Sequence, residues 1–126
     1  MFATIYQRLC QAEELLKFPR SFIYELALGC EVVAVHRKLQ KESTNETCGL
    51  FILKGEISVI QQEQSKTYRA GSLIGMDNTN GNKEFQMVAK EMSAVVKLTK
   101  QSMKHALESH PECELLISKN FFKTNS

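Results

Sequence analysis

The sequence predicts a mainly-β domain, a sandwich, jelly roll or barrel, with helices at both ends. Three observations carry that expectation. About seven or eight short β-like runs lie between residues 31 and 98. Glycines and polar stretches separate them at close spacing. On either side of this region the apolar residues recur at helical spacing instead.

Taken in order, Ile5, Leu9, Ala12 and Leu16 form one helical stripe, which Pro19 ends. Ser21 stands where it can cap a second helix carrying Phe22, Ile23, Leu26 and Ala27, closed by Gly29. The period then changes. Glu31 to His36 is β-branched and reads as a strand. Arg37 to Glu46 reads as a solvated strand or hairpin. Leu50 to Leu53 is a continuous apolar strand that Lys54-Gly55 breaks, and Glu56 to Val59 alternates as a half-buried strand does. Thr67 to Arg69 is a short strand, Ala70-Gly71 a bend, and Leu73-Ile74 leads into Gly75. Residues 76–84 form a polar loop of turn-forming residues. Phe85 to Ala89 alternates again. In the last strand Met92, Ala94, Val96 and Leu98 are expected to share one face. Thr99 can cap a helix carrying Met103, Ala106 and Leu107. Pro111 stops that helix and suits the first turn of another, with Glu112 and Glu114 near its start and Lys119 near its end. The expected layout is one domain over residues 1–126: a helical lead-in over 3–29, a β-barrel over 30–99 and C-terminal helices over 100–121.

Composition narrows the function. The chain has 126 residues, 43% hydrophobic and 24% charged, which is ordinary for a soluble globular protein. A net charge of +2 gives no support for nucleic-acid binding. No run of about 18 apolar residues exists to insert into a membrane. The first residues lack a basic start followed by an apolar run, so no secretory signal is expected, and Phe2 excludes the myristoylation pattern. Cys10, Cys30, Cys48 and Cys113 form no C-x-x-C pair and sit in apolar runs. They read as free thiols of a reducing compartment, which predicts a cytoplasmic protein. The sequon Asn45-Glu46-Thr47 is then expected to be a chance match.

Three segments carry a family resemblance. Residues Cys48 to Val59 form a strand–glycine–strand unit. Ala70-Gly71-Ser72-Leu73-Ile74-Gly75 makes the next bend. Val96-Lys97-Leu98-Thr99 with Met103 joins a last strand to a helix. Together they resemble the cyclic nucleotide-binding domain of catabolite activators, kinase regulatory subunits and gated channels, from about Phe22 to about His110. The resemblance implies an antiparallel double-stranded β-helix, a jelly-roll or cupin-like barrel, flanked by N-terminal and C-terminal helices. It also implies a regulatory module.

The phosphate-binding cassette departs from that family. There a Gly-Glu pair opens a short helix, the carboxylate holds the ribose, and an arginine a few residues later neutralises the cyclic phosphate. Here Gly75 is kept, but Met76 stands where the glutamate belongs, and no arginine follows within 76–98. A thioether is a weak acceptor, and a lysine cannot reproduce the guanidinium fork. The loop is about two residues shorter than the resemblance requires. Each missing charged contact costs roughly 1.5–3 kcal/mol, and two lower affinity by about two to four orders of magnitude. The expectation is therefore a non-enzymatic interaction module that needs no cofactor and works through a protein partner or self-association. The alternative is a cAMP, cGMP or other small-ligand sensor with an atypical cassette built from Gly75, Asp77, Asn78, Thr79 and Lys83.

Other chemistries find little support. His36, His105 and His110 form no H-x-H pair and share no helix face, so no metal site is expected. Cys113 lies three residues after His110, across a proline, and no nucleophile-elbow motif surrounds any serine, so no enzyme is expected. His36 to Lys41 is a basic cluster without interleaved aromatics and reads as a charge-protected strand edge. Leu115, Leu116, Ile117, Phe121 and Phe122 are dense for a closing helix. Packing on the barrel accounts for them; the other expectations are an interaction surface, or a cover for the unfilled pocket.

Overall fold

The structure, a computed structural model, describes residues 2–37, 39–43, 46–61, 63–76 and 84–117. Two four-stranded antiparallel sheets make the β region. The first has the order β1 (Glu31–Val35), β8 (Ser93–Thr99), β3 (Thr47–Lys54), β6 (Leu73–Gly75). The second has the order β2 (Gln40–Ser43), β7 (Glu84–Val88), β4 (Glu56–Gln61), β5 (Gln64–Arg69). This alternation of the chain between two sheets is a jelly roll. Among the described residues the layers pack face to face and no strand pairs across them.

Two glycines make the turns that the strand order needs. Gly55, with φ +86°, reverses the chain between β3 and β4. Gly71, with φ +94°, makes the bend into β6. Side chains rarely adopt this backbone region, so glycine is the residue that fits both.

Every strand of the first sheet that is flanked on both sides is buried on both faces. On β8, Val95 and Val96 are each fully buried though they point in opposite directions. Val95 belongs to the core between the sheets, with Leu50, Ile52 and Ile74 from its own sheet and Ile57, Val59, Phe85 and Met87 from the other. Val96 and Leu98 belong to a second core on the outer face, with Phe51 and Leu73. Val96 and Leu98 share one face as expected, but the opposite face is buried as well, and Met92 lies ahead of the strand. A central strand has no solvent side, and Met92 itself stays 60% exposed.

Helices cover that outer face. They are α1 (Phe2–Gln11), α2 (Arg20–Leu28), α3 (Lys100–Ser109) and a short α4 (Glu114–Leu116), with 3-10 turns at Glu13–Leu15 and Pro111–Cys113. Leu9, Leu15, Phe22 and Leu26 are fully buried there. The first stripe ends earlier than its spacing suggests: α1 stops at Gln11, and the chain buries Leu15 while Leu16 stays exposed. Thr99 caps α3 as expected, accepting from the Ser102 backbone N–H at 3.1 Å. Ser21 does not cap α2. Pro19 holds the cap position and Ser21 lies inside the first turn. Gly29 is needed for space and not for φ: a Cβ there would lie 1.9 Å from Ser102 Oγ. The four cysteines are free. Burial pushes the Cys48 thiol up to about 12 and also raises Cys30 and Cys113, so these sulfurs stay protonated. No helix among the described residues is long and apolar enough to cross a membrane.

Candidate functional site

The connection from β6 to β7 is the place where the resemblance puts a ligand. Its entry is set by pairing of β6 with β3, with Gly75 opposite Gly49 and Ile74 opposite Leu50. The backbone N–H of Met76 continues that contact, donating to the Cys48 carbonyl at 2.8 Å. The Met76 side chain does not face solvent. It is 4% exposed and belongs to the core between the sheets. On the return strand Phe85 is 1% exposed and joins the same core, as does Met87. Both ends of the connection thus turn an apolar side chain inward. Asp77, Asn78, Thr79 and Lys83 lie outside the described residues.

The same end of the jelly roll carries one polar cluster. Lys97 of β8 shares the inward face of Val95. Its Nζ meets Glu42 Oε1 of β2 at 2.8 Å and Glu31 Oε2 of β1 at 3.5 Å. Gln40 Nε2 donates to the other Glu42 oxygen at 3.0 Å. Burial alone would raise the Glu42 carboxyl, but the hydrogen bonds from Lys97 and Gln40 outweigh it and hold the group below the usual carboxylate range. Burial alone would lower Lys97, yet its two carboxylate partners hold it above the usual lysine value. Sequence reasoning overlooked Lys97 as a cation of this region. Its partners lie 55 and 66 positions away in sequence, and no local motif links them.

A cavity of about 310 Å³ opens beside this cluster, lined by Lys41, Glu42, Ser43, Glu46, Thr47, Glu84 and Lys97. Among the described lining residues three carboxylates face two ammonium groups, and the more buried ammonium already holds two carboxylates. Such a lining repels an anion rather than gathering one. No arginine is among its described lining residues. Arg8 donates to the Leu53 carbonyl at 3.2 Å, Arg37 to the Lys90 carbonyl at 3.1 Å, and Arg69 faces Glu56 at 3.5 Å.

The other candidate surface is partly covered. Leu115 is 73% exposed, Leu116 packs against the helix-side core, and Ile117 is buried in it. Phe121 and Phe122 lie outside the described residues. No group of His, Cys, Asp and Glu able to hold a metal occurs among the described residues. One contact had no sequence signal at all: Ser21 Oγ lies 3.0 Å from His110 Nε2, across 89 positions.

No protein-family model matches the sequence, and no curated protein is similar to it by sequence. Solved structures are similar in shape. The C-linker/CNBHD of zELK channels, crystallized in the presence of cAMP, has a TM-score of 0.67 at 15% identity, over 95% of this chain and 69% of that one. PfPKA-R with cAMP bound has a TM-score of 0.66 at 14% identity, over 98% of this chain and 49% of that one. The chain therefore spans about half the length of that second structure. A cyclic nucleotide-binding-like protein from Brucella abortus has a TM-score of 0.54 at 17% identity, over 82% of this chain and 97% of that one. Two antiparallel sheets of eight strands among the described residues, helices on one outer face and these three likenesses agree on one point: the chain has the cyclic nucleotide-binding-like fold.

Proposed function

We propose that residues 1–126 act as one regulatory module, without enzymatic activity, whose jelly roll takes no cyclic nucleotide at ordinary concentrations and which works through contacts with a protein partner or a second copy. One observation carries the reading. Met76 and Phe85, at the two ends of the cassette connection, are both buried in the core between the sheets. Apolar side chains at both ends of the connection support the reading, because neither can hydrogen-bond a sugar or pair a phosphate. The carboxylate-rich lining beside Lys97 adds an electrostatic reason against a cyclic phosphate. Exposed Leu115, next to a helix-side core that already engages Ile117, supports a contact surface on the closing helix, with Leu116, Phe121 and Phe122 as its proposed neighbours. The free cysteines support a reducing, cytoplasmic setting.

A thermal-shift titration with millimolar cyclic AMP and cyclic GMP tests the reading. The expected outcome is no change in melting temperature. Two of the similar structures were obtained with cAMP, which favours a sensor as the second reading. In that reading Gly75, Asp77, Asn78, Thr79 and Lys83 hold the ligand. A rise of several degrees that disappears in Lys83→Ala would establish the sensor and overturn our choice.

A further inference from the structure

The Ser21–His110 contact is part of a longer relay outside the jelly roll, and its chemistry is independent of the regulatory reading. His110 Nδ1 lies 3.2 Å from Glu112 Oε2, while His110 Nε2 lies 3.0 Å from Ser21 Oγ. A carboxylate accepts only, so the Nδ1 proton faces Glu112. In the neutral ring with its proton on Nδ1, Nε2 accepts from the serine hydroxyl. This is a hydroxyl, a base within reach of its proton, and a third group that orients the base, which is the arrangement that activates a serine.

The three residues come from separate segments, each fixed on its own. Ser21 sits in the first turn of the nine-residue α2. His110 closes α3, its backbone N–H donating to the Ala106 carbonyl at 2.9 Å, and its ring meets Phe22 edge-on with centroids 6.1 Å apart. Glu112 lies in the following 3-10 turn. Its carboxyl is held below the usual range, first by a backbone hydrogen bond and then by the one with His110. Ser21 is exposed, so a reactant can reach it.

We propose that Ser21 is an acyl-accepting nucleophile, a modification site that takes one acyl group from an activated donor such as an aryl ester or thioester. Its Oγ forms a bond to the acyl carbon, and the donor's bond from that carbon to oxygen or sulfur breaks. The serine proton passes to His110 Nε2 and from there to the departing phenolate or thiolate. No redox partner is needed. The relay stands on open surface, so it captures a donor once and does not enclose one for turnover. The resulting ester removes the hydroxyl hydrogen that ties α2 to the C-terminal turn.

The full chain incubated with p-nitrophenyl acetate gives the test, with acetyl groups located by peptide mass spectrometry. Ser21 is expected to acquire acetyl well ahead of Ser109, which is also exposed. His110→Gln is expected to slow labelling of Ser21 by about 100-fold, the lower end for general-base assistance. Glu112→Gln is expected to slow it by less, and Ser21→Ala to remove the adduct. Circular dichroism melting checks that each variant folds. Should His110→Gln unfold, Glu112→Gln at an exposed position decides alone. Labelling of Ser21 at the rate of Ser109, or at a rate indifferent to the working variants, would show a hydrogen-bonded clasp without reactivity and overturn the proposal.

Discussion

The two faces of the β1-β8-β3-β6 sheet are packed by different means. The outer face presents Phe51, Leu73, Val96 and Leu98 to helical residues such as Leu9, Phe22, Leu26 and Met103. The inner face presents Leu50, Ile52, Ile74 and Val95 to another sheet, with Met76, Phe85 and Met87 filling between. A jelly roll that takes a ligand keeps space and polarity on its inner side. Here the described residues that flank the cassette connection and face inward, Met76 and Phe85, are apolar and buried. The polar cluster of the inner side pairs Lys97 with Glu42 and with the exposed Glu31. The comparison teaches that both faces of the sheet carry a buried apolar core, one closed by helices and the other by a second sheet.

Truncation of one large side chain in each layer gives the largest expected effect. Phe22→Ala on the outer side and Phe85→Ala on the inner side remove fully buried rings, and each should lower unfolding free energy by about 3–5 kcal/mol in urea titrations. Were the inner layer a ligand chamber, Phe85→Ala would cost far less than Phe22→Ala, and the comparison would break.

Lys97→Met comes next. It leaves Glu42 in a mostly buried position with Gln40 as its remaining hydrogen-bond partner among the described residues, and should cost about 1–2 kcal/mol after allowance for partial exposure. Because Glu42 is held below the usual range in the folded state, its contribution is present above about pH 4 and fades as pH falls through the folded value. Lys97, held high, contributes below its ordinary value and loses that only as pH rises through the folded one. The stability gap between the natural chain and Glu42→Gln should therefore narrow in acid. A gap that widens below about pH 4 would contradict the ion-pair account.

Gly29→Ala has the smallest expected effect and sharpens the outer layer. The added carbon would meet Ser102 Oγ at 1.9 Å and Ser102 Cβ at 3.3 Å. We expect a loss of about 1 kcal/mol, partly restored in Gly29→Ala with Ser102→Ala, read by urea titration. No restoration would place the cost elsewhere.

Local chemistry made much of the fold legible. Gly55 and Gly71 mark turns that need positive φ, and Thr99 announces a helix start by its own side chain. Contacts between distant segments were not legible. Val95 and Val96 hide the period of β8 because both its faces are covered. Ser21 looked like a cap because its partner, His110, is far along the chain. At the candidate site, the loss of the expected acid at Met76 could be read directly. That Met76 and Phe85 turn inward, and that Lys97 is already engaged, depended on how two sheets stack, and no stretch of sequence contains that.

Methyl and backbone NMR during a cyclic AMP titration tests the central claim most directly, with Met76, Met87 and Phe85 as reporters of the inner layer. The account predicts resonances unmoved into the millimolar range. Saturable shifts of Met76 and Phe85 at micromolar nucleotide would contradict it.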